Sequence, residues 1–430
     1  MSSRQRSAAS PADRPLRKVL GNLGWLLGSR GVNAVLSLVY LALATRSLGL
    51  TGFGQFALIV VMAQTIAGTA SFSTWQAVVR WGQDPAERQG AIGFAVALDG
   101  LSIAIGVPLA VLLVWLAPLW FPLPADMRGA ALGLSLVAVV ALRSTPTGIL
   151  RLHDRFAWGA AAEAALPATR AIGAIAAWLF RPDVIGFILA WGIAELVCAA
   201  VHWVLASRLA RLSWRDVSLR ALPQRHHGVW RFVLATNATR TLAVGAKQVP
   251  ILLVGAAGGA ALAGGFRVAA QLGQALVQLA EAMSRALYPE LLRTRDDPAA
   301  LVRRTALLGG GVGMIASVLA AGTGNWVLSV VAGPGFAFAW LAMLVLVLAG
   351  AAELVATAWD SSLVARGRAG AVFVARAAPL MMALAMLPAV VAAQGLTGAA
   401  WAMLGASALS AAVLGYLVLA AKRSVRGVRR

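Results

Sequence analysis

Six large polar side chains recur at helical spacing within the otherwise apolar stretch from residue 262 to residue 286. They are Arg267, Gln271, Gln274, Gln278, Glu281 and Arg285. On an α-helix with 100° between successive residues, these side chains fall within an arc of about 80°. Such a stripe either lines a water-filled passage or packs as a polar seam against another helix. We predict a passage, because six large polar groups are difficult to satisfy in a dry seam.

Two other apolar stretches carry shorter polar stripes. Arg30, Asn33 and Ser37 share one helical face, and Asn237, Arg240 and Lys247 share another. Arginine binds phosphate bidentately and stays charged when partly buried. The sequence therefore predicts a cationic site for a phosphate-bearing ligand, formed by Arg30, Asn33, Arg240, Lys247, Arg267, Gln271, Gln274 and Gln278. Internal pairing of the cations with Asp99, Glu195 or Glu281 remains open as the alternative.

Four carboxylates within apolar stretches are candidates for binding a coupling ion. They are Glu163, Glu281, Glu353 and Asp360. A half-buried carboxylate inside a membrane can bind and release a proton. Structural ion pairing explains the same residues equally well on sequence alone, so both interpretations remain open.

The composition places these stripes on membrane-spanning helices. Of the 430 residues, 60% are apolar and only 12% are charged, against roughly 25% charged residues in an average soluble domain. A water-soluble fold of this size cannot cover so much apolar surface. A spanning helix needs about 20 apolar residues, so the chain has room for about twelve spans with short loops.

Enzyme and metal-site classes find no support in the sequence. It contains no GxxxxGK[ST] phosphate loop and no loop long enough for a catalytic domain, so we expect a protein that is not an enzyme and uses no cofactor. The single cysteine, Cys198, and the four histidines show no metal-ligand spacing. We therefore expect no metal site.

Twelve apolar runs can be counted, and the basic residues indicate their direction. The runs are 20–44, 53–78, 91–117, 128–150, 157–180, 184–207, 229–254, 262–286, 303–327, 338–362, 369–393 and 396–421. With a cytoplasmic N-terminus, 25 of the 37 Lys and Arg residues fall in cytoplasmic segments, three in outside loops and nine within spans. This is the bias expected of inner-membrane proteins. It also places most of the net charge of +21 beside anionic lipid headgroups, so we expect no nucleic-acid partner.

A basic loop at 208–228 divides the spans into two groups of six, which then run in the same direction as a parallel repeat. The predicted organisation is a cytoplasmic basic arm (1–18), an N-terminal six-helix bundle (19–207), a cytoplasmic linker (208–228), a C-terminal six-helix bundle (229–421) and a cytoplasmic basic tail (422–430). The segments around Phe56 and Phe266 are weakly similar. Aligning them after Gly49 and Gly255 requires a gap of four residues.

The segment 44–57 carries a recognisable pattern, Ala-Thr-Arg-Ser-Leu-Gly-Leu-Thr-Gly-Phe-Gly-Gln-Phe-Ala. It resembles the Ala-Arg-x-Leu-Gly-x-x-x-Phe/Tyr-Gly pattern between the first two spans of the polysaccharide transporters. These are the O-antigen-type lipid-linked oligosaccharide flippases of the multidrug/oligosaccharidyl-lipid/polysaccharide exporter superfamily. Segments 250–255 and 287–290 resemble the second repeat of that family. Lys247 and Gln248 stand where many members carry an acid, which is a departure.

This resemblance implies an all-α polytopic fold in which two six-helix bundles enclose a V-shaped cavity with alternating access. It implies a bacterial inner-membrane flippase for polyprenyl-diphosphate-linked oligosaccharide in O-antigen or exopolysaccharide export. The implied partners are membrane lipid, a polysaccharide polymerase and glycosyltransferases. A cation-coupled multidrug antiporter of the same superfamily is one alternative, although it should prefer an acid-rich cavity. A non-transporting scaffold of the export machinery is the other, although it does not need a polar stripe through the bilayer.

The charge distribution predicts the side of the membrane on which each loop lies. In a Cys198→Ser background, single cysteines in the 208–228 loop should react with a membrane-impermeant thiol reagent only after the cells are permeabilised. Cysteines in the outside loop near 181–183 should react in intact cells. Labelling of the 208–228 loop in intact cells contradicts the predicted orientation.

Overall fold

The computed structural model describes residues 13–120, 122–211, 213–292, 298–365 and 367–427. Within these ranges, the side chains of residues 13–32, 34, 275–292, 298–303, 305, 361, 365, 369 and 421–427 lie outside the description. The described residues form α-helices and short 3-10 helices, and no strand occurs among them. The fold is all-α, as the sequence predicts.

The helices follow one another with short connections. They are α1 (Asp13–Ala70), α2 (Thr74–Trp81), α3 (Arg88–Leu116), α4 (Arg128–Val140), α5 (Ser144–Leu152), α6 (Phe156–Phe180), α7 (Val184–Ser207), α8 (Ala221–Arg225), α9 (Val229–Leu292), α10 (Pro298–Val331), α11 (Trp340–Ala365) and α12 (Ala369–Gly427). Short 3-10 helices lie at Ala117–Leu119, Ala125–Met127, Trp214–Asp216 and Pro334–Ala339.

Eight segments of the described chain are long and apolar enough to cross a membrane. They are Val35–Trp81, Arg88–Leu119, Ala125–Leu152, Val184–Ser207, Val229–Gln274, Ala306–Val331, Pro334–Val364 and Gly370–Ala420. Three of them have 47, 46 and 51 residues. Each of these three is about twice as long as a single crossing requires.

The three longest helices are interrupted at glycines, where loops between separate spans are predicted. The backbone is non-helical at Gly49 in α1, at Gly259 in α9 and at Gly395 in α12, with φ values of 65°, 82° and 61°. Glycine adopts positive φ without the steric cost that a Cβ brings. A single residue therefore turns the chain, and the predicted loops are tighter than the apolar runs indicate.

The glycine breaks correct the predicted alignment of the two halves. Gly49 and Gly259 each lie seven residues before a phenylalanine, Phe56 and Phe266 respectively. The sequence comparison paired Gly49 with Gly255, which introduced a four-residue gap. Pairing by backbone conformation removes that gap, and the two segments match at a constant offset of 210 residues.

Two predicted spans are broken inside the membrane-spanning region. The predicted span 53–78 is interrupted at residues 71–73, between α1 and α2, and the predicted span 128–150 at residues 141–143, between α4 and α5. Serine side chains accept hydrogen bonds from backbone N–H groups at and beside the first of these interruptions. The backbone N–H of Phe72 donates to Ser102 Oγ at 3.2 Å, and that of Trp75 donates to Ser144 Oγ at 3.1 Å. The breaks therefore pack against each other.

Helices α1 and α9 make a close contact that joins the N-terminal and C-terminal halves of the chain. Helix α1 also packs on α3, α4, α6 and α7, and α9 packs on α10, α11 and α12. At their crossing, a Cβ on Gly54 would lie only 1.9 Å from the carbonyl oxygen of Ala260, and one on Gly264 only 3.0 Å from Gly54 Cα. Phe53 and Phe56 extend the contact into a buried aromatic cluster with Phe336 and Trp191.

The linker and the chain ends are more helical than the predicted organisation indicates. Helix α1 begins at Asp13, within the predicted arm, and α12 ends at Gly427, within the predicted tail. The linker 208–228 contains α8, and Leu222 is buried against Phe94 and Val229. The cause is the high helix propensity of Lys, Arg and Leu, which lets helices continue beyond the apolar layer.

The α1–α9 crossing predicts that adding one methyl group destabilises the protein at the crossing but not elsewhere on a helix surface. Gly54→Ala should lower the thermal midpoint and the membrane abundance, because its methyl group meets a backbone carbonyl rather than a movable side chain; overpacking of this kind costs about 1–3 kcal/mol. The matched control is Gly100→Ala in α3, where a Cβ meets open space. Thermal unfolding monitored by size-exclusion chromatography measures both variants. Equal midpoints contradict the described crossing.

Candidate functional site

A buried carboxylate holds two arginines from different helices. Glu195 on α7 accepts from Arg143 Nη2 at 2.9 Å and from Arg170 Nη2 at 2.6 Å. Arg143 lies in the break between α4 and α5, and Arg170 lies on α6. Arg143 Nη1 also donates to Cys198 Sγ at 3.1 Å. The Glu195 carboxylate thus links α7 to α6 and to the break between α4 and α5.

Two guanidinium groups lie close to one tryptophan ring in this region. Arg170 Cζ lies 3.4 Å from the centroid of the Trp191 ring, and Arg267 Cζ lies 5.7 Å from it. Tyr40 packs edge-on against the same ring, with centroids 5.2 Å apart. Cation–π attraction strengthens where water is excluded. Arg267 lies on α9, so this group of side chains joins helices from the N-terminal and C-terminal halves of the chain.

The cluster of Tyr40, Arg170, Trp191 and Arg267, which we call the Trp191 cluster, has unused hydrogen-bonding capacity. Tyr40 Oη, Arg170 Nε and Arg267 Nε are buried and have no partner among the described residues. Arg267 is only 8% exposed, and its one described hydrogen bond is donated by Nη1 to the Ala57 carbonyl at 3.5 Å. Buried donors without partners are costly. An anionic group placed here satisfies them and balances the charge.

The positive charge in this part of the molecule exceeds the negative charge beside it. Arg143, Arg170 and Arg267 are accompanied by the carboxylate of Glu195. Glu163 also interacts with Arg143 but lies beside His202, and the three arginines still outnumber the two acids. Most buried ion pairs in membrane proteins are balanced, because an uncompensated charge costs several kcal/mol in a low-dielectric layer. The surplus indicates a site for an anion.

Arg240 lies in a second polar region, next to the break between α1 and α2. Its Nη1 donates to the Phe72 carbonyl at 3.4 Å, and its charge interacts with Asp99 on α3. Asp99 Oδ1 accepts from Thr74 Oγ1 at 3.1 Å. Arg240 and Arg267 therefore have different immediate neighbours.

The remaining predicted ligand-binding residues are placed as follows. Asn33 is partly buried, and its Oδ1 has no partner among the described residues. Gln271 is partly buried, whereas Gln274 and Lys247 are exposed. The side chains of Arg30 and Gln278 lie outside the description. The predicted joining of these residues into one site stays a prediction.

The predicted coupling acids lie beside basic side chains wherever the structure describes them. Asp360 Oδ2 accepts from Arg376 Nε at 2.6 Å, and Glu353 accepts from Nη1 of the same arginine. Glu163 Oε1 lies 3.6 Å from His202 Nε2. The side chain of Glu281 lies outside the description. Pairing explains the positions of Glu353 and Asp360 without a coupling role.

The sequence analysis missed Tyr40 and Trp191 and did not connect Arg143, Arg170 and Glu195 with the anion site. A signal was present on α7, where Trp191, Glu195, Cys198 and His202 recur at helical spacing. The tryptophan begins this stripe, and the three polar residues follow it. A stripe that begins with a tryptophan does not stand out as a polar face in an apolar run.

The shared carboxylate predicts a strong effect of removing Glu195. Glu195→Gln should destabilise the protein by about 3–5 kcal/mol, the usual cost of breaking a buried pair, because two arginines lose their counter-charge. Adding Arg170→Gln should recover part of the loss, since the double variant keeps the net charge of the original group. The control is Glu87→Gln, whose partner Arg225 is 61% exposed, with an expected effect of about 0–1 kcal/mol. Denaturant titration in detergent measures all three, and a neutral Glu195→Gln contradicts the described network.

No protein-family model matches the chain. Over 338 residues it is 31% identical to the inner membrane protein YghQ of Escherichia coli (strain K12), a match that covers 75% of this chain and 94% of YghQ. Its fold is similar to that of the lipid II flippase MurJ in an inward closed conformation, with a TM-score of 0.74 and 13% identity over 91% of this chain and 86% of MurJ.

The fold is also similar to that of transporters of the MATE family. The multidrug transporter DinF-BH matches with a TM-score of 0.62 and 16% identity over 97% of this chain and 98% of its own. An inward-facing MATE transporter of the MOP superfamily matches with a TM-score of 0.60 and 14% identity over 92% and 95%. These neighbours are transporters and flippases rather than enzymes, in agreement with the sequence analysis. The chain has the MurJ/MATE fold, and its identity to YghQ over most of both chains shows that it belongs to the family of the inner membrane protein YghQ.

Proposed function

We propose that this protein is a flippase that moves a polyprenyl-diphosphate-linked oligosaccharide across the bacterial inner membrane by alternating access. The observation that carries the proposal is the Trp191 cluster, where arginines from α6 and α9 lie buried with unpartnered donors. A diphosphate is a compact dianion that accepts several hydrogen bonds, and guanidinium groups bind it bidentately. The similarity to the MurJ fold supports a lipid-linked substrate.

The proposed topology has twelve spans with both termini in the cytoplasm. The three double-length segments, broken at Gly49, Gly259 and Gly395, each account for two crossings. Helix α6, with 25 residues, adds a crossing although it carries Glu163 and Arg170. The other five apolar segments complete the count of twelve. The basic residues then lie mainly on the cytoplasmic side, as the insertion bias requires.

The proposed path lies between two six-helix bundles, 19–207 and 229–421, and passes the Trp191 cluster. The diphosphate contacts Arg267, assisted by Arg30, Arg240 and Lys247, and the sugars contact Asn33, Gln271, Gln274 and Gln278. The prenyl chain stays in the lipid beside the bundles. Glycosyltransferases supply the substrate and a polysaccharide polymerase consumes it, for O-antigen or exopolysaccharide export.

A cation-coupled multidrug antiporter is the second candidate. The similarity to two MATE transporters favours it, and the pair of carboxylates at Glu353 and Asp360 exceeds the one cation of Arg376 beside them. A cationic drug is repelled by the positive surplus of the Trp191 cluster. Accumulation of a cationic dye by cells that overproduce the protein separates the two candidates, because the flippase leaves dye content unchanged.

The flippase proposal is tested with purified protein in liposomes that contain a fluorescent polyprenyl-diphosphate oligosaccharide. Flipping exposes the fluorophore to a membrane-impermeant quencher. Arg267→Gln should slow flipping by roughly 30- to several-thousand-fold, since removing one partner from a desolvated charged contact costs about 2–5 kcal/mol. Arg267→Lys should recover only part of the rate, because lysine keeps the charge but loses the bidentate fork.

The control variant is Arg376→Gln, a partly buried arginine on α12 that is paired with two acids and is not part of the Trp191 cluster. It should flip the lipid at close to the original rate once its abundance is matched. The double variant Arg170→Gln with Glu195→Gln separates binding from structure: it should fold and yet flip slowly. Full flipping by Arg267→Gln and by the double variant overturns the proposed anion site.

A further inference from the structure

Two helix breaks meet at one buried carboxylate. Residues 71–73 interrupt the chain between α1 and α2, and residues 141–143 interrupt it between α4 and α5. Broken helices at membrane depth occur where the freed backbone is buried in protein or lines a cavity. The hydroxyls of Thr74 and Thr145, at the first turns of α2 and α5, lie 3.1 Å apart. Both threonines are fully buried.

Asp99 on α3 points its carboxylate at this junction. Its Oδ1 accepts from Thr74 Oγ1 at 3.1 Å, and the carboxylate also interacts with the side chain and backbone of Thr145. The residue is only 5% exposed. Asp99 lies eleven residues after the start of α3 at Arg88, which corresponds to about 16 Å along the helix axis. A carboxylate at this depth, with no ion-pair partner within 4 Å among the described residues, is costly unless it has a role.

Arg240 is the basic group that acts on Asp99 from the neighbouring helices. It lies on α9, and its Nη1 donates to the Phe72 carbonyl, inside the break between α1 and α2. Arg143, at the other break, interacts with Arg240 but is held by Glu195. Helix α2 contributes only the hydroxyl of Thr74, and α3 itself contributes that of Ser102, which is bonded to Phe72 N. In this described neighbourhood, the carboxylate of Asp99 on α3 and the guanidinium of Arg240 on α9 attract each other electrostatically.

We propose that Asp99 is a proton-binding site, and that its protonation loosens the attachment of α9 to the broken helices. The step is the addition of one proton to the Asp99 carboxylate, which becomes a neutral carboxylic acid. The neutral acid no longer attracts Arg240, so this arginine keeps only its hydrogen bond to the Phe72 carbonyl, and the attachment of α9 to the N-terminal part of the protein weakens. As a coupling mechanism this rests on the flippase proposal, whereas the structural change itself does not require a substrate.

A proton fits this site better than a metal cation does. The first turns of α2 and α5 present the positive ends of their helix dipoles to the carboxylate, and Arg240 adds a full positive charge. A calcium ion needs about six to eight oxygen ligands, whereas a proton needs one, and the described groups here supply one carboxylate and two hydroxyls. The hydroxyls of Thr74 and Thr145 can donate to the charged form and accept from the acid.

The experiment measures the distance between the N-terminal and C-terminal halves of the chain as a function of pH. Spin labels are placed at Gln83→Cys and Arg368→Cys, both exposed, in a full-length Cys198→Ser protein in lipid nanodiscs. Pulsed dipolar spectroscopy should show a longer-distance population that grows as the pH falls from 8 to 5. Its ratio to the shorter population should change by up to about tenfold per pH unit, the limit for one proton.

Variants assign the change to Asp99. Asp99→Asn should hold the acidic distance distribution at every pH, and Asp99→Glu should restore pH dependence. The matched control, Glu353→Gln, removes a carboxylate held by Arg376 and should leave the dependence intact. A pH-independent distribution in the unmutated protein overturns the proposal, and so does pH dependence that survives in Asp99→Asn or disappears in Glu353→Gln.

Thr74→Val keeps the test decisive if Asp99→Asn fails to accumulate. Valine has the shape of threonine but cannot donate to the carboxylate, so the midpoint should move to higher pH by about one unit. An unchanged midpoint overturns the proposal. Lipid flipping that occurs without a pH-dependent distance refutes only the proton site. A pH-dependent distance without flipping of the labelled lipid refutes only the flippase.

Discussion

The need to neutralise charge inside an apolar layer governs the arrangement of this protein. A guanidinium group in hydrocarbon requires a carboxylate, an aromatic face or backbone carbonyls, and each of these must come from a neighbouring helix. Glu195 meets that need for Arg143 and Arg170, and Trp191 does so for Arg170 and Arg267. The same contacts fix the positions of α6, α7 and α9 around α1. Packing and electrostatics therefore converge on one small region.

The balance of positive and negative charge differs between the region around Glu195 and the region around Arg376. Around Glu195, the described arginines outnumber the acids, whereas Arg376 is shared by two carboxylates. An anion is attracted to the first region and a cation to the second.

The sequence predicts the helical class because a membrane leaves few alternatives, and it predicts the apolar segments because their length is set by the bilayer. The break at 71–73 is not visible in the sequence, because serine and threonine side chains replace backbone partners there without a change in hydropathy. The run Arg-Ser-Thr-Pro-Thr-Gly from residue 143 does indicate a kink with a polar lining, next to the break at 141–143. The ionisable residues of the site are visible as expensive groups within apolar runs. Their partners are not, because Arg170 and Glu195 meet through tertiary packing. In the sequence, Tyr40 and Trp191 cannot be distinguished from ordinary core residues, because only the folded structure places guanidinium groups beside the Trp191 ring.

The constant offset of 210 residues has a geometric consequence for Arg267. The offset pairs Gly54 with Gly264 and Ala57 with Arg267, and both pairs are in contact at the α1–α9 crossing. Residues that meet their own counterparts lie close to an approximate two-fold axis. Arg267 therefore lies where the two matching segments meet. Because its counterpart is alanine, the molecule carries this central charge once rather than twice.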